Sequence, residues 1–183
     1  MRRIVYVIVI AAVLAAAAYI ALFVVYPRFE VDPLSYDDTL KAGVKMPVRI
    51  VRDVNGIPSI LAENTDDLYF AMGYVHAQDR VNVMEYYRAI VSGYSNVVID
   101  GDDGKMLRRL VSILSIEDKA DDLVSGLTTG ARTSLDSYVN GINTWTARRG
   151  HMKGLSRIPV NRPWKAADVV AIHLLREWAD SYL

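Results

Sequence analysis

A mainly α-helical chain with one short β-hairpin, preceded by a single transmembrane helix, is what this sequence predicts. Three features point there: an uncharged apolar run near the N-terminus, two short β-rich runs flanking an Asn-Gly pair, and apolar residues recurring at three- and four-residue spacing through most of the rest.

The apolar run extends from Ile4 to Tyr26 behind Arg2 and Arg3. At about 1.5 Å per residue it is long enough for a hydrocarbon core of roughly 30 Å. The two arginines favour the cytoplasmic side, which places everything after Pro27 outside. A cleaved signal peptide is the rival, because Ala15 to Ala18 offer small residues for cleavage. The run continues apolar from Tyr19 to Tyr26, beyond a signal core, and favours an uncleaved anchor over residues 1–27. Residues 28–47, with Pro33 and Gly43, read as a tether, and the folded region occupies 48–183.

Val48 to Arg52 and Ile57 to Leu61 form the expected hairpin, with Pro58 confined to an edge or to the first position of its strand. Thr65, Asp66 and Asp67 open a helix that should reach about Val91. On a 100° wheel, Leu68, Met72, Val75, Tyr86 and Ile90 fall near one line, with Asp79 on it, while Phe70, Tyr74, Ala77, Val81 and Met84 occupy the other side. A helix apolar on two sides is expected to be buried on both, Asp79 included. Asp100 to Gly104 read as a solvated acidic loop. Helices follow over Lys105 to Leu114 and Ile116 to Ser125. A longer one is marked by Ala131, Leu135, Tyr138, Ile142 and Trp145 and closed by Gly150. An extended Pro159 to Pro163 leads to a last helix over Ala166 to Tyr182.

Composition excludes several functions. The 21 basic and 21 acidic residues cancel, so net charge recruits no nucleic acid, and the absence of cysteine removes disulfides and thiolate metal sites. His76, His151 and His173 lack the spacing of a zinc site. The acidic loop lacks the downstream glutamate of a calcium loop, and no phosphate-binding loop or nucleophile elbow occurs. His76 and Asp79 are the candidates for acid, base or ligand. The alternative, which the lack of a second such cluster favours, is an internal network of Gln78, Asp79, Arg80 and Glu85 that orients the helix.

Four strings in order then resemble the penicillin acylase (penicillin amidase) family of N-terminal-nucleophile hydrolases. Val51 to Ile60, with Arg52, Asp53, Gly56 and Pro58, is similar to its opening hairpin. Asp67 to Glu85, with Gly73, His76, Gln78, Asp79, Arg80 and Glu85, resembles its central helix. Leu135 to Asn143 resembles its L-x-x-Y-x-x-G-I-N string, and Arg162 to Asp168, with Trp164 and Asp168, its Pro-Trp element.

The resemblance implies the α-subunit part of an αββα fold, truncated at its C-terminus. It implies hydrolysis of an amide bond of acylated substrates (β-lactams, acyl-homoserine lactones or similar) by a serine that begins a separate β subunit, with the α-amino group as base. Nothing like the family's Gly-Ser-Asn processing junction is present, so no catalytic, cofactor-binding or metal residue carries over, and calcium would belong to a complete enzyme with ligands outside this chain. The expected partners are a β subunit and, through residues 4–26, a lipid bilayer. The chain alone should be inactive and expose a large apolar patch. The alternative is a non-catalytic, membrane-anchored helical binding module derived from the same family.

Overall fold

The computed structural model describes residues 39–40, 43–149, 160 and 162–181. The anchor expected over residues 4–26, the Gly150 cap and Pro159 lie outside them. Among the described residues no helix is long and apolar enough to cross a membrane.

The hairpin forms as its pattern predicts. Strand β1 (Arg49–Arg52) pairs antiparallel with β2 (Pro58–Leu61), in the register Arg49 with Leu61, Ile50 with Ile60, Val51 with Ser59 and Arg52 with Pro58. Pro58 takes the first position of its strand, where a missing N–H costs least. Asp53 organises the turn as much as Asn55-Gly56 does. Its Oδ1 accepts from the N–H groups of Asn55 and Ile57 at 2.9 and 2.8 Å, a local Asx arrangement. Gly56 supplies the left-handed residue, at φ 78°.

Helix α1 (Thr65–Ala89) starts where expected, but its cap is Asn64, whose side chain accepts from the Asp67 N–H at 3.0 Å. The helix does not run straight. Arg80, at φ −137° and ψ 15°, interrupts it, and a π-helical turn over Ile90–Tyr94 with Gly93 at φ 77° follows its end. Among the described residues a short turn and four further helices follow: α2 (Ser95–Val98), α3 (Gly101–Leu114), α4 (Ile116–Ser125), α5 (Thr129–Arg149) and α6 (Ala166–Asp180). A single left-handed residue, Ser115 at φ 50°, separates α3 from α4.

The expected acidic loop is corrected here. Gly101 to Gly104 form the first turn of α3, placing Asp102 and Asp103 at its positive end. Gly104 faces the Ile99 carbonyl so closely that a Cβ would collide with it.

Two packing units hold the fold. Ile90, Val91, Val111, Ile116, Ala120 and Val124 form one apolar core with Ala171 and Leu175 of α6. The other is the crossing of α1 and α5, where two glycines interlock. Gly73 rests on the backbone of Tyr138, and Gly141 on the backbone of Phe70 and Tyr74, so a Cβ at either position would strike the opposing main chain. Buried Val75, Ala77, Ile142 and Trp145 belong to these same two helices.

Candidate functional site

The polar residues singled out in the sequence segregate into two clusters rather than one internal network. The first is buried and lies between α1 and the start of α6. Glu85 accepts from the Arg88 Nε at 2.8 Å and from the Trp164 indole N–H at 2.7 Å. Arg88 donates to the carbonyls of Arg162 and Val160 at 2.9 and 3.0 Å, and its guanidinium lies 4.7 Å from the Trp164 ring centroid. Asp168 receives Arg162 through two parallel bonds of 2.7 Å, stands 4.0 Å from Arg88, and accepts the Lys165 backbone N–H at 2.9 Å. Those bonds to Asp168 push the Arg162 pKa above its ordinary value, keeping it charged. Two carboxylates thus face two guanidiniums, all four with further hydrogen-bond partners. That balance lets Glu85, Arg88 and Asp168 remain buried.

Asn143 joins this cluster to α5 by reading the Trp164 backbone in both directions. Its Nδ2 donates to the Trp164 carbonyl at 3.0 Å, and its Oδ1 accepts the Trp164 N–H at 2.8 Å. Arg88, Asn143 and Arg162 were not among the sequence candidates. The available signal was Arg88 three residues after Glu85 and directly before Ala89 and Ile90, a charge set inside an apolar run that needs a partner.

The second cluster ties the hairpin to α1. Arg52 donates to both carboxylate oxygens of Asp79, at 3.0 and 2.7 Å, to the Gln78 amide oxygen at 2.9 Å and to the Gly56 carbonyl at 2.7 Å. This corrects the expectation for Asp79. It is solvent-accessible, at the edge of the hairpin, and its counter-ion Arg52 is the better covered partner. Arg80 is exposed at the interruption of α1 and joins neither cluster as the sequence suggested.

His76 also lies on the surface. Its Nδ1 is 2.9 Å from the Tyr138 hydroxyl, with the rings edge to face, and burial pushes the Tyr138 pKa up. At the start of α1, buried Asp67 accepts from the Lys45 and Met46 N–H groups at 2.9 and 2.8 Å and from the Asn64 amide at 2.6 Å. Burial opposes its ionised form, but these bonds outweigh it and hold the carboxyl below its usual range.

Among the described residues no group of three or more histidines or carboxylates converges as a cation site requires. Ser92 Oγ is a buried hydroxyl with no hydrogen-bond partner among them, so no base stands ready to activate it. The geometry therefore serves to fix helices: each sequence string is bonded to another, the hairpin to α1, α1 to α5, and both helices to the Trp164 segment.

A family model described as penicillin amidase matches residues 47–182. The chain belongs to the penicillin amidase family. It is similar to penicillin acylase 2 proenzyme of Pseudomonas sp. (strain SE83), at 36% identity over 105 residues, 57% of this chain and 13% of that protein. It also resembles the acyl-homoserine lactone acylase QuiP of Pseudomonas syringae pv. syringae, at 29% identity over 63% of this chain and 14% of the relative. A third relative, penicillin G acylase of Escherichia coli, is 32% identical over 54% of this chain and 12% of its own length. This chain therefore spans about an eighth of the length of these penicillin amidase relatives. In fold it matches the thermostable penicillin G acylase of Alcaligenes faecalis, with a TM-score of 0.60 over 73% of this chain and 75% of that one at 23% identity.

Proposed function

We propose that this chain is the N-terminal, α-subunit-type region of an amidohydrolase that cleaves the amide bond of acylated substrates through a serine on a region outside it. The family match over residues 47–182 carries the reading. Relatives named for penicillin and for acyl-homoserine lactones give the two substrate classes to test, and one named a proenzyme fits a precursor that is cut. The geometry supports a scaffold role, since Arg52 bonds Gln78 and Asp79, Trp164 bonds Glu85, and Arg162 bonds Asp168. In this reading residues 4–26 span the cell membrane once and residues 28–183 stand on its outer side, supported by Arg2 and Arg3 ahead of an uncharged run.

The test is to tag the full chain in its native host, solubilise the membranes and purify it with whatever it holds. Hydrolysis of a penicillin and of an N-acyl-homoserine lactone should appear only in fractions that also contain a polypeptide beginning with serine. Equal hydrolysis by the lone chain would overturn the assignment.

A further inference from the structure

The residues just before the hairpin are held to α1 by hydrogen bonds rather than by burial. Lys45 and Met46 donate their backbone N–H groups to the two carboxylate oxygens of Asp67 at 2.9 and 2.8 Å, and the Lys45 ammonium reaches Asp66 at 2.5 Å. Asn64 fixes Asp67 in turn, donating its amide to the carboxylate at 2.6 Å and accepting the Asp67 N–H at 3.0 Å. The strap so held is open to solvent. The Lys45 side chain is 69% exposed, Met46 is 43% exposed, and Gly43 has empty space where a Cβ would stand.

The groups engaged are those that a trypsin-type protease requires. Such an enzyme takes its substrate as an extended strand through main-chain hydrogen bonds and holds a lysine ammonium with an aspartate in its specificity pocket. Here Asp66 already holds the cation, and Asp67 already holds the N–H groups of Lys45 and of the Met46 that follows it. The next basic residues, Arg49 and Arg52, lie in β1, where pairing with β2 occupies the backbone. Hydrolysis between Lys45 and Met46, with water adding across the amide to leave a carboxylate and an amine, would spare the hairpin and every described helix.

We infer that Asp66 and Asp67 guard the Lys45–Met46 bond against proteases that cut after lysine, and so set the N-terminal limit to which the folded region can be trimmed. Nicking ordinarily concentrates in exposed stretches of this kind, and it requires the strand to leave its partners first. Each bond to the Asp67 carboxylate lowers the population of the cleavable form, and the more exposed Lys45–Asp66 pair adds a smaller part. The guard stands on this geometry and does not depend on the amidohydrolase reading.

Limited trypsin digestion of the full chain, purified from its host as above and kept well below its thermal midpoint, tests this with Asp67→Asn and Asp66→Ala. Asp102→Ala, which breaks the exposed Lys105–Asp102 pair on α3, is the control. Mass spectrometry follows new N-termini at Met46, and cuts after Arg49 and Arg52 report on the hairpin. Ends at Met46 should form roughly tenfold faster or more in Asp67→Asn and roughly threefold faster in Asp66→Ala, with the control at the wild-type rate. Equal rates in all four proteins would overturn the inference. It would also fall if cuts after Arg49 and Arg52 rose in step with those after Lys45, since the variants would then be loosening the hairpin and not the strap.

Discussion

Trp164 donates its indole N–H to Glu85 at 2.7 Å across 79 positions of sequence, and Arg88 lies against both. That one contact joins the central helix to the Pro-Trp segment and explains why an acid can sit inside the core. Replacing Trp164 with Phe keeps most of the ring and removes the donor. Stability to urea should fall by roughly 1–3 kcal/mol, the cost of an unsatisfied buried acceptor. Arg88→Met leaves Glu85 without its counter-ion and two carbonyls without their donor, and should cost more, roughly 3–5 kcal/mol, a large share of a domain's total stability.

The glycine crossing gives a sharper contrast. Gly73→Ala and Gly141→Ala place a methyl group into the opposing helix backbone, where no side chain can swing away. Each should destabilise by about 1–3 kcal/mol or more in chemical denaturation. Gly130→Ala, at the start of α5 with open space around it, should leave stability unchanged or raise it slightly.

Asp79 tests the corrected position. An accessible carboxylate bound bidentately by Arg52 should lose only about 1 kcal/mol on Asp79→Ala, and the loss should shrink in high salt. A deficit several times larger and insensitive to salt would restore the buried reading.

Asp67 sets a pH dependence. Its carboxyl is held below the usual range in the fold, so its contribution is present above the unfolded value of about 3.9 and fades as pH falls through the lower folded value. Thermal midpoints of the wild type and Asp67→Asn should differ most near pH 6–7 and converge towards pH 3 and below. A gap that widens in acid would contradict the sign.

Much of this was legible in the sequence, and the misses have physical causes. The hairpin was readable because Asn55-Gly56 lies between two β-rich runs, and α5 because Leu135, Tyr138, Ile142 and Trp145 keep one period to the end. The start of α3 was hidden by Gly101 and Gly104, residues that ordinarily argue for a loop. Here Gly104 is required by contact with the Ile99 carbonyl. The burial of Asp79 was misjudged because a straight wheel assumes an unbroken helix covered evenly along its length. Arg80 interrupts α1, and the hairpin reaches only as far as Arg52 allows. Arg88 was missed because, beyond Glu85 three residues before it, its partners are the carbonyls of Val160 and Arg162, more than seventy residues away.

The proposed amidohydrolase function puts the nucleophile on a serine outside this chain. A serine-reactive acyl probe applied to the material purified from the host tests it most directly, with the labelled residue located by mass spectrometry. The label should fall on the first residue of a second polypeptide, a serine, and on no serine of this chain. Stoichiometric label on Ser92 or any other serine of the 183 residues would contradict the claim.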